Sequence, residues 1–242
     1  MSNTACGIDF GTSNSTAAIH DGTAARLLPL EDGRPTLPSA VFFNLDEDSM
    51  AYGRAALNEY LEGFEGRLMR SMKSLLGSGL MDAGTDVGGR HLAFRDLIGG
   101  FIGEIRRRAE VHTQSRFDSV VVGRPVRFVD DDAAADQLAE DTLAQIVRKL
   151  GFRDVSFQFE PIAAAHAFEQ TVARESLVLV VDIGGGTSDF SLVRLSPERR
   201  GAADRSADLL GNSGVHIGGT DFDKRLSLAC VMPELGMGGL LA

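Results

Sequence analysis

Cysteine is almost missing from this chain: among 242 residues only Cys6 and Cys230 occur, far apart and without metal-ligand spacing. That excludes a disulfide framework and a zinc site. Basic residues are outnumbered, 24 Lys and Arg against 34 Asp and Glu, and the resulting net charge of −10 argues against a nucleic-acid partner. The one basic run, Arg106-Arg107-Arg108, lies on a helical pattern and reads as a solvated face. No apolar run approaches the length of a membrane span, and Met1-Ser2-Asn3-Thr4 lacks a charged segment backed by an apolar one. No membrane partner is expected, and the chain reads as cytoplasmic. His20, His91, His112, His166 and His216 show neither ligand spacing nor a nucleophile partner, and read as structural or surface residues. No heptads, short-period repeats or low-complexity tracts occur. Nor does any Gly-x-x-x-x-Gly-Lys-Ser/Thr string open a helix, which excludes a P-loop.

What is present is 43% apolar residues, enough for one large or two modest domains, and two turns that share a pattern. The first is Gly7-Ile8-Asp9-Phe10-Gly11-Thr12-Ser13-Asn14-Ser15, the second Val181-Asp182-Ile183-Gly184-Gly185-Gly186-Thr187-Ser188-Asp189. Strand-like runs flank both, Thr16 to Ile19 after the first and Leu177 to Val181 and Phe190 to Val193 around the second. Each therefore reads as strand-turn-strand. Glycines in such turns let backbone N–H groups converge on phosphate oxygens, and the Thr and Ser hydroxyls add donors. Asp9 and Asp182 would repel a polyphosphate unless a hard cation stood between, and magnesium retaining most of its waters answers that conflict. One such turn alone is more often a flexible hairpin. Two with matching flanks suggest duplicated βββαβα halves facing one nucleotide across a cleft.

Between the turns, residues from about 40 to 115 read as an insertion: a short strand, Ala40 to Phe43, then helical patterns interrupted by the glycine-rich Leu76 to Arg90. Its last helix carries Leu97, Ile98, Phe101, Ile102, Ile105 and Ala109 at helical spacing, a core stripe. Strand Ser119 to Gly123 resumes the main sheet. Asp130, Asp131 and Asp132 then read as the cap of a helix rather than a metal site; its buried face is expected at Leu138, Leu143, Ile146, Val147 and Leu150, with Gly151 as its stop. A strand at Val155 to Phe159 and a helix at Pro161 to Val172 follow, and the polar stretch Ser196 to Ser206 reads as a loop.

These residues resemble the Hsp70 class of the actin-like ATPase superfamily through essentially the whole chain. The two turns are similar to that family's phosphate loops, and Glu160-Pro161-Ile162-Ala163-Ala164-Ala165 resembles its connecting motif. Met72-Lys73-Ser74-Leu75-Leu76-Gly77 and Gly218-Gly219-Thr220-Asp221-Phe222-Asp223 favour Hsp70 over the actin-like filament proteins. Val121-Val122-Gly123-Arg124-Pro125-Val126 looks closer to the atypical YegD-like branch.

The resemblance implies an α/β fold with a mixed sheet of ribonuclease H-like topology. Residues 1–39 and 116–175 would form the first lobe, 40–115 an inserted subdomain, and 176–242 the start of a second lobe. It implies ATP or ADP with Mg2+, hydrolysed at the γ-phosphate as a conformational switch in protein folding. Asp9 and Asp182 would hold the metal's water shell, Glu160 would support the same hydrated ion or the attacking water, and Lys73 would meet the γ-phosphate. Gly11, Thr12, Ser13 and Asn14, with Gly184, Gly185, Gly186 and Thr187, would cradle phosphates. Thr187 and Asp189 would line the attacking water's side, and Gly218-Gly219 would approach the phosphates or ribose.

Taken singly, Lys73 reads as a surface lysine, Glu160 as a helix-start acid and Gly218-Gly219 as a turn. The sequence also departs from the family. It stops soon after Asp223, so it reads as an N-terminal fragment, and unfolded clients and cochaperones would bind through regions not present. Leu209, Leu210, Val215 and Ile217 would then lie on a sheet short of covering helices, with apolar surface exposed. Ala133 stands eight residues after Pro125, where the family commonly has an arginine used in interdomain signalling. Two rivals stay open, a filament protein and a sugar or acetate kinase of the same superfamily, as does a binding-only pseudo-ATPase.

Overall fold

The computed structural model describes residues 5–22, 24–129, 131–202, 204–215 and 217–239. The chain divides into two compact units, Met1–Ala163 and Ala164–Ala242.

The first unit opens with strands β1 (Ala5–Phe10), β2 (Asn14–His20), β3 (Ala25–Leu27) and β4 (Thr36–Pro38). Then come β5 (Ala40–Asn44), β6 (Ser49–Tyr52), helix α1 (Arg54–Glu62), β7 (Gly66–Arg70), a 3₁₀ turn at Met72–Leu75, β8 (Gly84–Val87) and β9 (Arg90–Ala93). Helix α2 (Phe94–Thr113), strand β10 (Ser119–Arg124), helix α3 (Ala133–Lys149), strand β11 (Asp154–Phe159) and the start of helix α4 (Glu160–Glu169) complete it.

Its main sheet has the order β11-β10-β1-β2-β3, with β4 also paired to β2. β1, β10 and β11 are parallel neighbours, while β1-β2 and β2-β3 are antiparallel. This is the mixed sheet flanked by helices expected of an actin-like ATPase fold. Period-2 side-chain alternation decides what it buries: Cys6, Ile8 and Phe10 on β1 and Val120 and Val122 on β10 turn to one face. Against them packs the expected stripe of α2, all six residues of it buried. The thiol of Cys6 lies in this core, where burial pushes its pKa up to about 12.

Three expectations need correction. On α3 the buried face runs through Ala139, Thr142, Leu143, Ile146 and Val147, and Leu138 is 65% exposed. At 3.6 residues per turn Leu138 sits about 100° to the side of Ala139, outside the stripe. The arginine run is likewise not one solvated face, because three successive helical positions point in three directions. Arg107 faces water, but Arg106 donates to the carbonyls of Leu150 and Phe117, and Arg108 to that of Leu30. The insertion holds more strand than its sequence suggested: β6-β5-β7 form an antiparallel sheet against α1, and β8 and β9 form a hairpin. Of these, β6, β7 and β9 are short and have no buried residue, so they lack a legible apolar alternation.

The Asp cluster caps α3 as expected, since the Asp132 carboxylate accepts from the backbone N–H groups of Ala134 and Ala135. Gly151 follows that helix at φ 95°, a left-handed stop. Asp130 lies outside the described residues.

The second unit continues from α4 into an antiparallel meander, β12 (Ser176–Ile183), β13 (Ser188–Leu195) and β14 (Leu209–Val215), followed by helix α5 (Gly219–Leu226). One sheet face is apolar and open: Leu177, Leu179, Val181 and Ile183 are 51 to 61% exposed, and their neighbours Phe190 and Val215 are 42 and 50% exposed. Leu210 and Ile217 are exposed as well, while Leu209 is half-buried. The stretch read as a loop contains two 3₁₀ turns, Pro197–Arg199 and Ser206–Asp208. It is not solvated throughout. Ser196, Arg205 and Asp208 are buried, joined to Glu169 at the end of α4.

Candidate functional site

The first turn, between β1 and β2, is held by two hydroxyls whose role the sequence reading missed. Buried Ser39 donates from Oγ to the Gly11 carbonyl at 2.7 Å and from its backbone N–H to the Ser13 carbonyl at 2.9 Å. Its hydroxyl also shares a 2.9 Å hydrogen bond with that of buried Ser15. In a trans peptide the C=O and the next N–H point oppositely, so anchoring the Gly11 carbonyl on Ser39 turns the Thr12 N–H away from the protein. Thr12, Ser13 and Asn14 are half-buried or exposed, and the turn presents donors to solvent. The missed signal was Ser39 itself, which follows Pro38 just beyond β4.

The second turn follows the same rule with a different anchor. The Gly219 N–H donates to the Gly184 carbonyl at 2.9 Å, and the backbone N–H and Oγ1 of Thr220 both donate to the Gly185 carbonyl, at 2.9 and 2.7 Å. The amides of Gly185 and Gly186 are thereby turned outward. Approach this close requires Gly218: a Cβ there would stand 2.6 Å from the Gly185 carbonyl carbon and 2.7 Å from the Gly184 oxygen. So Gly184, Gly185, Gly186, Thr187, Gly218 and Gly219, which the sequence places in two separate motifs, form one backbone cluster.

Acids stand beside each turn. On the second, Asp182 and Asp189 are direct partners across β12 and β13 and therefore share one face. Like charges so placed destabilise a strand pair, and a cation or a set of donors would relieve them. On the first, Asp9 and Glu160 flank Gly123, whose Cβ position lies 3.7 Å from Asp9 Oδ1 and 3.4 Å from Glu160 Cγ. Glu160, the first residue of α4, accepts from Lys73 Nζ at 2.6 Å, an ion pair with both side chains mostly buried. Lys73 is delivered there by its neighbours: Met72 and Leu76 are buried in the first unit's core and pin the 3₁₀ turn between them. The pair joins segments 87 residues apart in sequence.

The residues assigned to one site from the sequence thus fall into two groups. The first unit assembles Asp9, Gly11, Thr12, Ser13, Asn14, Lys73 and Glu160; the second assembles Asp182, Gly184, Gly185, Gly186, Thr187, Asp189, Gly218 and Gly219. Among the described residues no three His, Cys, Asp or Glu side chains converge into a direct coordination shell. A hydrated magnesium ion, which meets one or two carboxylates and otherwise keeps its waters, fits such sparse donors. His20 and His91 are exposed and His166 half-buried 3.6 Å from Glu169; His216 lies outside the described residues. Cys6 and Cys230 are both free. No helix among the described residues is long and apolar enough to cross a membrane.

A family model described as Hsp70 protein matches residues 5–95 and 81–232. Among curated relatives, a chaperone protein HscA homolog of Pseudomonas paraeruginosa is 32% identical over 241 residues, which cover 90% of this chain and 36% of the relative. Chaperone protein HscA of Salmonella typhimurium is 30% identical over 245 residues, covering 92% of this chain and 37% of that protein. The chain therefore spans little more than a third of the length of these relatives.

Proposed function

The chain belongs to the Hsp70 family, of which it carries the nucleotide-binding region, and from that premise we propose that it binds ATP and ADP with Mg2+ and hydrolyses the γ-phosphate. Hsp70 proteins are ATPases as a family. The observation that best supports the reading for this chain is common to both turns: their carbonyls are tied back to Ser39 and to Gly219 and Thr220, leaving the amides of Thr12, Gly185 and Gly186 as donors for phosphate oxygens.

The magnesium ion, when bound, neutralises phosphate charge and orients the groups to be cleaved. Asp9, Asp182 and Glu160 would accept hydrogen bonds from its waters. Lys73 would exchange its contact with Glu160 for the γ-phosphate, bringing a point charge to where negative charge spreads over the equatorial oxygens. Thr187 and Asp189 would hold the attacking water's side, and Gly218-Gly219 would lie by the phosphates or ribose. Such chemistry is mostly positioning and charge stabilisation. The subdivision into 1–39 with 116–175, 40–115 and 176–242 is proposed on the same basis. So are the use of turnover as a switch in protein folding, a cytoplasmic setting, and clients and cochaperones as partners. The lysine segment and the Gly-Gly-Thr-Asp-Phe-Asp string speak for this reading over a filament protein or a small-molecule kinase. Placement in the YegD-like branch rests on Val121 to Val126 alone.

Calorimetric titration of ADP in Mg2+ and in EDTA tests the reading. Affinity should fall when the metal is removed, because the acids would otherwise face the phosphates unshielded; equal affinity in both conditions would end the magnesium role.

A further inference from the structure

Arg124, the last residue of β10, lies within the Val121 to Val126 string and outside both glycine turns. Arg124 is 9% exposed, and its side chain is surrounded. Nη2 donates to Asp136 Oδ2 at 2.9 Å and to the Val126 carbonyl at 3.2 Å, Nε donates to the Pro125 carbonyl at 3.0 Å, and Nη1 meets Glu140. Both acids belong to α3. The guanidinium carbon also lies 5.1 Å from the centre of the Phe128 ring and 5.3 Å from that of Phe159. Phe159 is the residue before Glu160, and it is the register partner of Arg124 across β10 and β11.

We propose that Arg124 is a positioning residue for Glu160, holding the β11-to-α4 junction so that the carboxylate stays beside Asp9 and Lys73. The proposal rests on the nucleotide reading above for its consequence, and on unit geometry for its cause. A planar guanidinium with both carboxylates in place cannot shift without breaking several buried contacts, so the Phe159 ring against it is held as well. The next residue along the chain is Glu160. From the other side, Gly123 sits against Glu160 Cγ and Asp9, with room for no more than a methyl group before a side chain would press on both. Arg124 touches neither nucleotide nor metal in this scheme. Its effect on magnesium comes through the placement of one carboxylate, as outer-shell partners act in metal sites generally.

The test uses Arg124→Met in the full chain, with two readouts. In calorimetry with ADP, the variant should lose about tenfold or more in Mg2+ affinity while its metal-free ADP affinity is unchanged. In a crystal structure of the nucleotide-free variant, the Lys73–Glu160 ion pair should be displaced. Arg124→Lys, which keeps the charge but not the planar fork, should fall between wild type and Arg124→Met. An unchanged Mg2+ affinity with the ion pair intact overturns the proposal, and so does an equal loss of metal-free and metal-dependent binding, the mark of general destabilisation. Should wild type itself show no Mg2+ dependence, the magnesium role proposed above fails, and the ion-pair readout still decides on Arg124. If Arg124→Met does not fold, Phe159→Leu decides in its place: it leaves the ion pairs of Arg124 whole and removes the ring that links them to Glu160, so the same selective loss is expected.

Discussion

The two units bury their sheets by different means. In the first, β1 and β10 lie under the all-apolar stripe of α2, with Phe10, Phe101, Ile98, Ile102 and Ile105 almost fully enclosed. In the second, β12 shows four apolar side chains to solvent on one face, and the enclosed part of the unit is rich in charge. Arg205 bridges Glu169, at 2.7 and 2.9 Å, and Asp208, all three nearly inaccessible. Arg200 caps the end of α4 by donating to the Glu169 and Val172 carbonyls. The same strand-turn-strand unit can thus be supported by a covering helix or by a charged clasp at its edge, and the turn geometry comes out alike because each turn has its carbonyls anchored by donors from another segment.

The sharpest way to break the comparison is to hollow each core. Phe101 lies 5.8 Å from Phe10 and 6.4 Å from Tyr52 by ring centres, and Phe101→Ala should cost about 3–5 kcal/mol. Leu179→Ser on the open face should stay within about 0.5 kcal/mol and reduce self-association. Urea unfolding of both variants checks the contrast; similar losses would show that the open face is covered in solution.

For the clasp, Arg205→Met takes the guanidinium from buried Glu169 and leaves Asp208 with Arg199 alone, and should destabilise by about 3–5 kcal/mol. Hydrogen exchange should place that loss in the second unit and leave α2 as protected as in wild type. Protection lost equally in α2 would mean that the units do not unfold separately.

Between the turns, the charge of Lys73 sharpens the comparison from the first unit's side. Lys73→Ala should slow single-turnover hydrolysis by about 10²-fold or more with ADP affinity nearly unchanged, since the lysine is assigned to charge that develops on the γ-phosphate. Wild-type turnover would return Lys73 to a purely structural pairing with Glu160.

The smallest effect is on acid stability. The Arg205 guanidinium, hydrogen-bonded to Glu169, holds that carboxyl below its ordinary value of 4.5 despite burial. A carboxyl lowered on folding adds stability that is present above the unfolded value and is lost as pH falls through the folded one. Glu169→Gln should therefore flatten the acid limb below about pH 4.5 in thermal melts, relative to wild type. An unaltered acid limb would mean that other carboxylates carry it.

Much of this was legible because it is local. The α2 stripe, the Asp132 cap, the Gly151 stop and both strand-turn-strand units follow from 3.6- and 2-residue periodicity and from turn chemistry, and the structure has them where the sequence places them. Less was legible where a residue's partner is distant. Arg106 and Arg108 look like surface charge until Leu150, Phe117 and Leu30 offer them carbonyls, and Arg205 reads as loop until Glu169 is brought beside it. Leu138 shows the opposite error, an apolar residue one helical step outside the face that has a neighbour to cover it.

The sequence by itself determined the two glycine turns, their acids and the family, because backbone conformation at a turn is chosen by the residues within it. Tertiary structure alone decided which carbonyls are anchored by Ser39, that Lys73 reaches Glu160, and that Arg124 is enclosed between two rings and two acids. The Ser39 and Lys73 contacts join residues 28 and 87 apart, those of Arg124 bring β10, α3 and β11 together, and no local pattern encodes which groups chain folding will bring within hydrogen-bonding range.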